Sequence, residues 1–189
     1  MEGVALLQRA VDETTRLVNV VSAEQLGNET PCSEWTVRDL INHVTGGATM
    51  FAISAEQGSV PEEMVGQLMA GDNLGDDFKG AFATATKRAM GAFEQPGVLD
   101  KVVKLPFGEM PAGVALNIAV FDVATHSADL ARAMGQRVGD DELLEAALAI
   151  GKQMIGPELR QPGVFDAEQP IAEDAPVSDR LLAFAGRRV

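Results

Sequence analysis

The chain has two histidines, His43 and His126, and they are its most informative chemical groups. Each falls in the middle of a stretch with helical periodicity rather than in a loop. Asp122 precedes His126 by four residues, so on a helix the two side chains share a face, one turn apart. That stripe reads Ala119, Asp122, His126, Asp129, Ala133, beside an apolar line of Leu116, Val123 and Leu130. The stripe through the other histidine reads Leu40, His43, Gly47, Met50, and Gly47 leaves room beside the imidazole. Buried polar groups need partners. Two imidazoles and a carboxylate meeting at one point satisfy one another best around a cation. Such a set leaves coordination positions open, as in a catalytic or ligand-binding centre and unlike a closed structural one. Zn²⁺, Ni²⁺ and Fe²⁺ all suit these donors, and the spacing does not choose among them. Asp129 stands where it can accept from the other ring nitrogen of His126, supporting the ligand from behind. The spacing admits a second reading: Asp-x-x-x-His recurs by chance on helices, and a mid-helix histidine is commonly a hydrogen-bonded core residue.

Other reactive types say less. Trp35 reads as a packing anchor at a helix entrance. Cys32, the one cysteine, has no basic neighbour in sequence and reads as an inert thiol. No catalytic acid or base stands out.

The elements that must carry these residues are helices. One is expected from about Val4 to Val21, with Val4, Leu7, Val11, Val18 and Val21 as its apolar stripe. After a loop at 27–31, Thr36-Val37-Arg38-Asp39 is a capping-box pattern that opens the helix of His43. Gly46-Gly47 inside it costs about 1 kcal/mol per glycine relative to Ala, so the pair calls for a reason. A short helix is expected near Glu62–Met69 and a long one from Asp76 to Phe93, with Phe78, Phe82, Ala85, Ala89 and Phe93 as core. Residues 98–111 read as a small β-hairpin or an extended loop. The helix of Asp122 and His126 runs from Ala112 to Met134 and closes at Gly135. Another follows from Asp140 to Met154, then an irregular stretch over 156–176 and a short helix, Asp179–Phe184. The expected architecture is all-α: a four-helix bundle with extra short helices and that hairpin. The expected division is a metal-binding bundle over 1–155 and a tail over 156–189 that packs back on it.

Composition bounds the partners. The chain has 189 residues and a formal net charge of −13, with no basic cluster. Phosphate backbones and anionic lipid surfaces repel such a chain, which argues against nucleic acid and membrane. No apolar run reaches the roughly 18 residues of a membrane span, no leader pattern opens the sequence, and a single cysteine suits a reducing cytoplasm. A homodimer is compatible with this, though no interface is legible.

Two segments resemble a known family. Thr30-Pro31-Cys32-Ser33-Glu34-Trp35-Thr36-Val37-Arg38-Asp39-Leu40-Ile41-Asn42-His43 is similar to the signature of the metal-binding N-terminal domain of mycothiol-dependent maleylpyruvate isomerases, in the DinB/YfiT-like superfamily. Asp122 through His126 to Gly135 resembles that family's other hallmark, and 175–187 resembles the tail of its short, single-domain members. The resemblance implies a helical bundle in which His43, Asp122 and His126 hold one divalent metal. It further implies a thiol cosubstrate such as mycothiol and a small electrophile as partners, in a thiol S-transferase or a thiol-dependent isomerase. Two departures stand out. Asp122 occupies a position where the isomerase has Glu, one methylene longer, and the sequence leaves no room for the isomerase's separate C-terminal domain. The competing expectations are a non-catalytic metal- or small-ligand-binding or sensor protein, and a bundle whose site is vestigial.

Overall fold

The computed structural model describes residues 2–161 and 165–189. Among them are seven α-helices and one hairpin: α1 (Glu2–Val20), α2 (Val37–Gln57), α3 (Glu62–Ala70), α4 (Phe78–Phe93), β1 (Val102–Leu105), β2 (Gly108–Pro111), α5 (Ala112–Ala133), α6 (Asp141–Met154) and α7 (Val177–Phe184). The architecture is the all-α bundle expected, and the 98–111 stretch resolves as the hairpin. Its strands are antiparallel, with Val102 opposite Pro111 and Leu105 opposite Gly108. No helix among the described residues is long and apolar enough to cross a membrane.

α2 and α5 carry the histidines and lie against each other at the centre, with α4 on α2 and α1 on α5. α6 covers α5, and α7 packs on both. The core runs continuously through these helices, from Leu7, Leu17 and Leu40 to Leu116, Leu130, Leu143 and Leu181. α5 approaches its neighbours closely because much of its buried surface is alanine, at 112, 115, 119, 124, 128 and 131.

Local chemistry sets the ends. Thr36 and Asp39 form the capping box of α2: the hydroxyl accepts from Asp39 N, and the carboxylate accepts from Thr36 N at 3.0 Å. α4 starts two residues later than its periodicity suggests. Asp77 is its N-cap, accepting from Gly80 N at 3.0 Å, so the residue before it lies outside the helix. Asp140 likewise caps α6 through Leu143 N. α5 ends in a Schellman turn: Gly135 is left-handed at φ 61°, Gln136 N donates to Ala131 O at 2.7 Å and Gly135 N to Arg132 O at 3.1 Å. Among the described residues of the stretch expected to be irregular, a 3₁₀ turn forms at Pro157–Leu159. Residues 162–164 of it lie outside the described residues.

The glycine pair of α2 serves two purposes, and the compulsory one was not legible. A Cβ on Gly46 would run into the carbonyl oxygen of Leu68, so the end of α3 crosses α2 against bare backbone. Asn42 locks that crossing, donating to Gly71 O at 2.9 Å and accepting from Asn73 N at 2.7 Å. Gly47 faces the histidine cluster instead, and a Cβ there would meet only Asp122 Oδ2, at an ordinary 3.8 Å. The two glycines therefore separate in a mutational test. Gly46→Ala should lose about 2 kcal/mol or more in urea unfolding, because it drives a methyl into backbone. Gly47→Ala should be neutral or gain up to about 1 kcal/mol from helix propensity. Equal effects would contradict the assigned packing.

Candidate metal centre

α2 presents His43 and α5 presents Asp122 and His126 toward one point. One oxygen, Asp122 Oδ1, lies 3.3 Å from His43 Nε2 and 3.6 Å from His126 Nε2. The three ligand atoms all lie within 4.8 Å of one another. Donors bound to Zn²⁺ at about 2.0–2.2 Å in a tetrahedral arrangement stand roughly 3.4 Å apart, so the separations to the carboxylate oxygen fit a shared ion. The centre is graded in exposure: the side chain of His126 is 7% exposed, that of Asp122 25% and that of His43 35%. The His126 side is therefore sealed in the bundle, and solvent reaches the centre from the His43 side.

Behind His126 lies a second carboxylate. Asp129 Oδ2 is 3.0 Å from His126 Nδ1, and Asp129 has no solvent exposure. It is paired with Arg187, whose Nη2 donates to Oδ2 at 2.9 Å and whose Nε lies 3.3 Å from both oxygens. The expected support of His126 by Asp129 is thus a contact in the fold, while Arg187, from the segment after α7, was not anticipated from spacing.

The electrostatics follow from this pairing. Burial disfavours the charged form of His43, but the charge and hydrogen bond of Asp122 outweigh it and raise the imidazole above its ordinary value. Burial would likewise raise Asp122; the charge and hydrogen bond of His43, with the charges of His126 and Arg187, outweigh that and hold its carboxyl below the usual range. For Asp129, burial is opposed by the hydrogen bond from His126 and by the Arg187 charge, and again the carboxylate form prevails.

Trp35 is more than a packing anchor. Its ring centroid lies 4.7 Å from that of His43 and 5.6 Å from that of His126, so the indole forms one wall of the centre. A tight turn aims it there. Glu34 is left-handed at φ 72°, an uncommon conformation for a non-glycine residue. The Thr30 hydroxyl holds the turn by donating to Cys32 O and Trp35 O, while Trp35 N donates to Cys32 O at 3.1 Å. Cys32 does have a basic neighbour in space, since Arg187 Nη2 lies 3.7 Å from its sulfur. Burial nonetheless outweighs that charge and pushes the thiol up to about 11.

Comparison with known proteins places this geometry in context. Residues 7–131 match the family model described as the mycothiol maleylpyruvate isomerase N-terminal domain. An uncharacterized protein of Mycobacterium tuberculosis, found in two strains, is 38% identical over 191 residues, covering 100% of both chains. The crystal structure of the mycothiol-dependent maleylpyruvate isomerase aligns with a TM-score of 0.63 at 20% identity, over 79% of this chain and 66% of that one. A histidine-to-alanine mutant of that isomerase aligns with a TM-score of 0.64 over the same shares. At that identity the likeness is one of fold, and this chain spans about two thirds of the isomerase's length.

Trp35 is the single tryptophan, so it reports directly on the centre. Titrating metal-free protein with Co²⁺ or Ni²⁺ should quench its emission saturably, EDTA should restore it, and His43→Ala should abolish the response. Emission indifferent to both ions would mean that neither settles beside the indole.

Proposed function

This chain belongs to the mycothiol maleylpyruvate isomerase N-terminal domain family, and from that premise we propose that it is a metal-dependent enzyme acting with a low-molecular-weight thiol. His43, Asp122 and His126 hold one divalent ion, with Zn²⁺ first among candidates and Ni²⁺ or Fe²⁺ next. The thiol is mycothiol, after the family's description, and the second substrate is a small electrophile. The reaction is thiol transfer to that electrophile or a thiol-assisted isomerisation.

The observation that carries the reading is the convergence of two Nε2 atoms on one oxygen of Asp122 between α2 and α5. A divalent ion held there supplies Lewis acidity, which lowers the pKa of a thiol brought to its open positions. The protein's residues divide the remaining work. His126, nearly sealed, is the fixed ligand; His43 and Asp122 stand at the open side, where a ligand enters. Trp35 covers the imidazoles with an apolar face and excludes water from one flank. Arg187 balances the charge of Asp129, so Asp122 alone offsets a dication. One positive charge then remains toward the opening, which favours an anionic sulfur over a neutral one. Gly47 keeps the approach beside Asp122 free of side chain.

The test is turnover. Metal-loaded protein, supplied with mycothiol, glutathione or cysteine and a panel of small electrophiles, should form thiol adducts or isomerised products detectable by mass spectrometry. His43→Ala and Asp122→Ala should return the rate to background. The reading fails if the loaded protein turns over no electrophile and the visible spectrum of its Co²⁺ form is indifferent to every thiol. That pair of results would favour a binding or sensing role instead.

A further inference from the structure

We infer that Arg187 is a positioning residue for the centre: through Asp129 it holds His126 with Nε2 turned toward Asp122 and His43. The inference rests on the metal reading for its purpose, but the arrangement itself is a property of the metal-free chain.

A run of contacts carries it. Asp129 sits on α5 without solvent exposure, its Oδ2 3.0 Å from His126 Nδ1. The guanidinium of Arg187 grips the same carboxylate through Nη2 and Nε, from 58 residues away in sequence. Arg187 is itself fixed. Its side chain is 12% exposed, its Nη1 donates to Ala185 O at 2.8 Å, and its backbone N donates to Leu182 O at 2.9 Å in the buried end of α7. A continuous polar chain therefore runs from the segment after α7 to the cluster.

Between the two neutral tautomers of His126, the chemistry of that chain selects one. A carboxylate paired with a guanidinium is an acceptor only. The ring nitrogen facing it must then carry the proton, which leaves the lone pair on Nε2, the atom that looks toward Asp122. Without Arg187, Asp129 keeps, among the described residues, only His126 as a polar side-chain partner in a sealed site, and the charge that holds it as an acceptor is gone. The segment after α7 is thus tied to the quality of a ligand on α5, although it contributes no donor to the cluster.

The experiment compares wild type with Arg187→Met, Arg187→Lys and Asp129→Asn. Long-range ¹H–¹⁵N NMR of the metal-free proteins reads the His126 tautomer, with His43 as internal control. Competition with a chromophoric chelator reads Zn²⁺ affinity, and thermal melts of the metal-free forms report folding. Wild type should show His126 protonated on Nδ1. Folded Arg187→Met and Asp129→Asn should lose that single tautomer and bind Zn²⁺ about ten- to a hundredfold more weakly, the usual effect of removing such support. Arg187→Lys, which keeps the charge and loses the fork, should fall between. An Nε2-protonated His126 in wild type overturns the inference, even if the methionine variant fails to fold. So does an Arg187→Met protein with unchanged tautomer and unchanged affinity. Failure of wild type to bind Zn²⁺ would remove the metal reading instead, and the tautomer comparison would still decide the role of Arg187.

Discussion

A carboxylate buried without solvent contact has to be paired, and the structure around the histidines is arranged to do this for Asp129. Leaving one partner of a buried ion pair uncompensated costs about 3–5 kcal/mol, a large part of the stability of a domain this size. Asp129 avoids that cost with His126 on one side and Arg187 on the other. The pairing has a directional consequence. It fixes what one nitrogen of His126 does, and so frees the other for the cluster it shares with Asp122 and His43. The orientation of His126 and the tie to the segment after α7 both follow from how that one carboxylate is satisfied.

The bundle makes room for this in a physically specific way. A polar cluster between two central helices needs those helices close, yet needs space at one level between them. Alanines on α5 supply the closeness, with Ala115, Ala119, Ala124 and Ala128 all buried. Gly47 supplies the space beside Asp122, while Gly46 lets the end of α3 lie directly on α2. Trp35, delivered by the strained turn at Glu34, closes one flank with an aromatic face. Hydrophobic burial holds the frame, and a few backbone irregularities adapt it to the site.

Much of this was legible in the sequence because it is local. The spacing of Asp122, His126 and Asp129 follows from helical periodicity alone, and a chain with two histidines offers few alternatives for their partners. Helix existence and order follow from apolar stripes for the same reason. What was not legible depends on tertiary contact. Arg187 is one of 15 basic residues, and nothing in its neighbourhood announces a partner 58 positions earlier. Trp35 could be placed at a helix entrance, but its direction depends on a left-handed Glu34, which residue type does not signal. The need for glycine at 46 comes from the carbonyl of Leu68, and no pattern within α2 contains that information.

The central claim is that His43, Asp122 and His126 form one metal site, and metal content tests it most directly. Plasma mass spectrometry on tag-free wild type and on His126→Ala, each incubated with Zn²⁺, Ni²⁺ or Fe²⁺ and desalted, should find close to one ion per wild-type chain. The variant should retain almost none. An absence of metal from wild type under all three conditions, or equal retention by the variant, would contradict the account and leave the three residues a hydrogen-bonded polar cluster within the bundle.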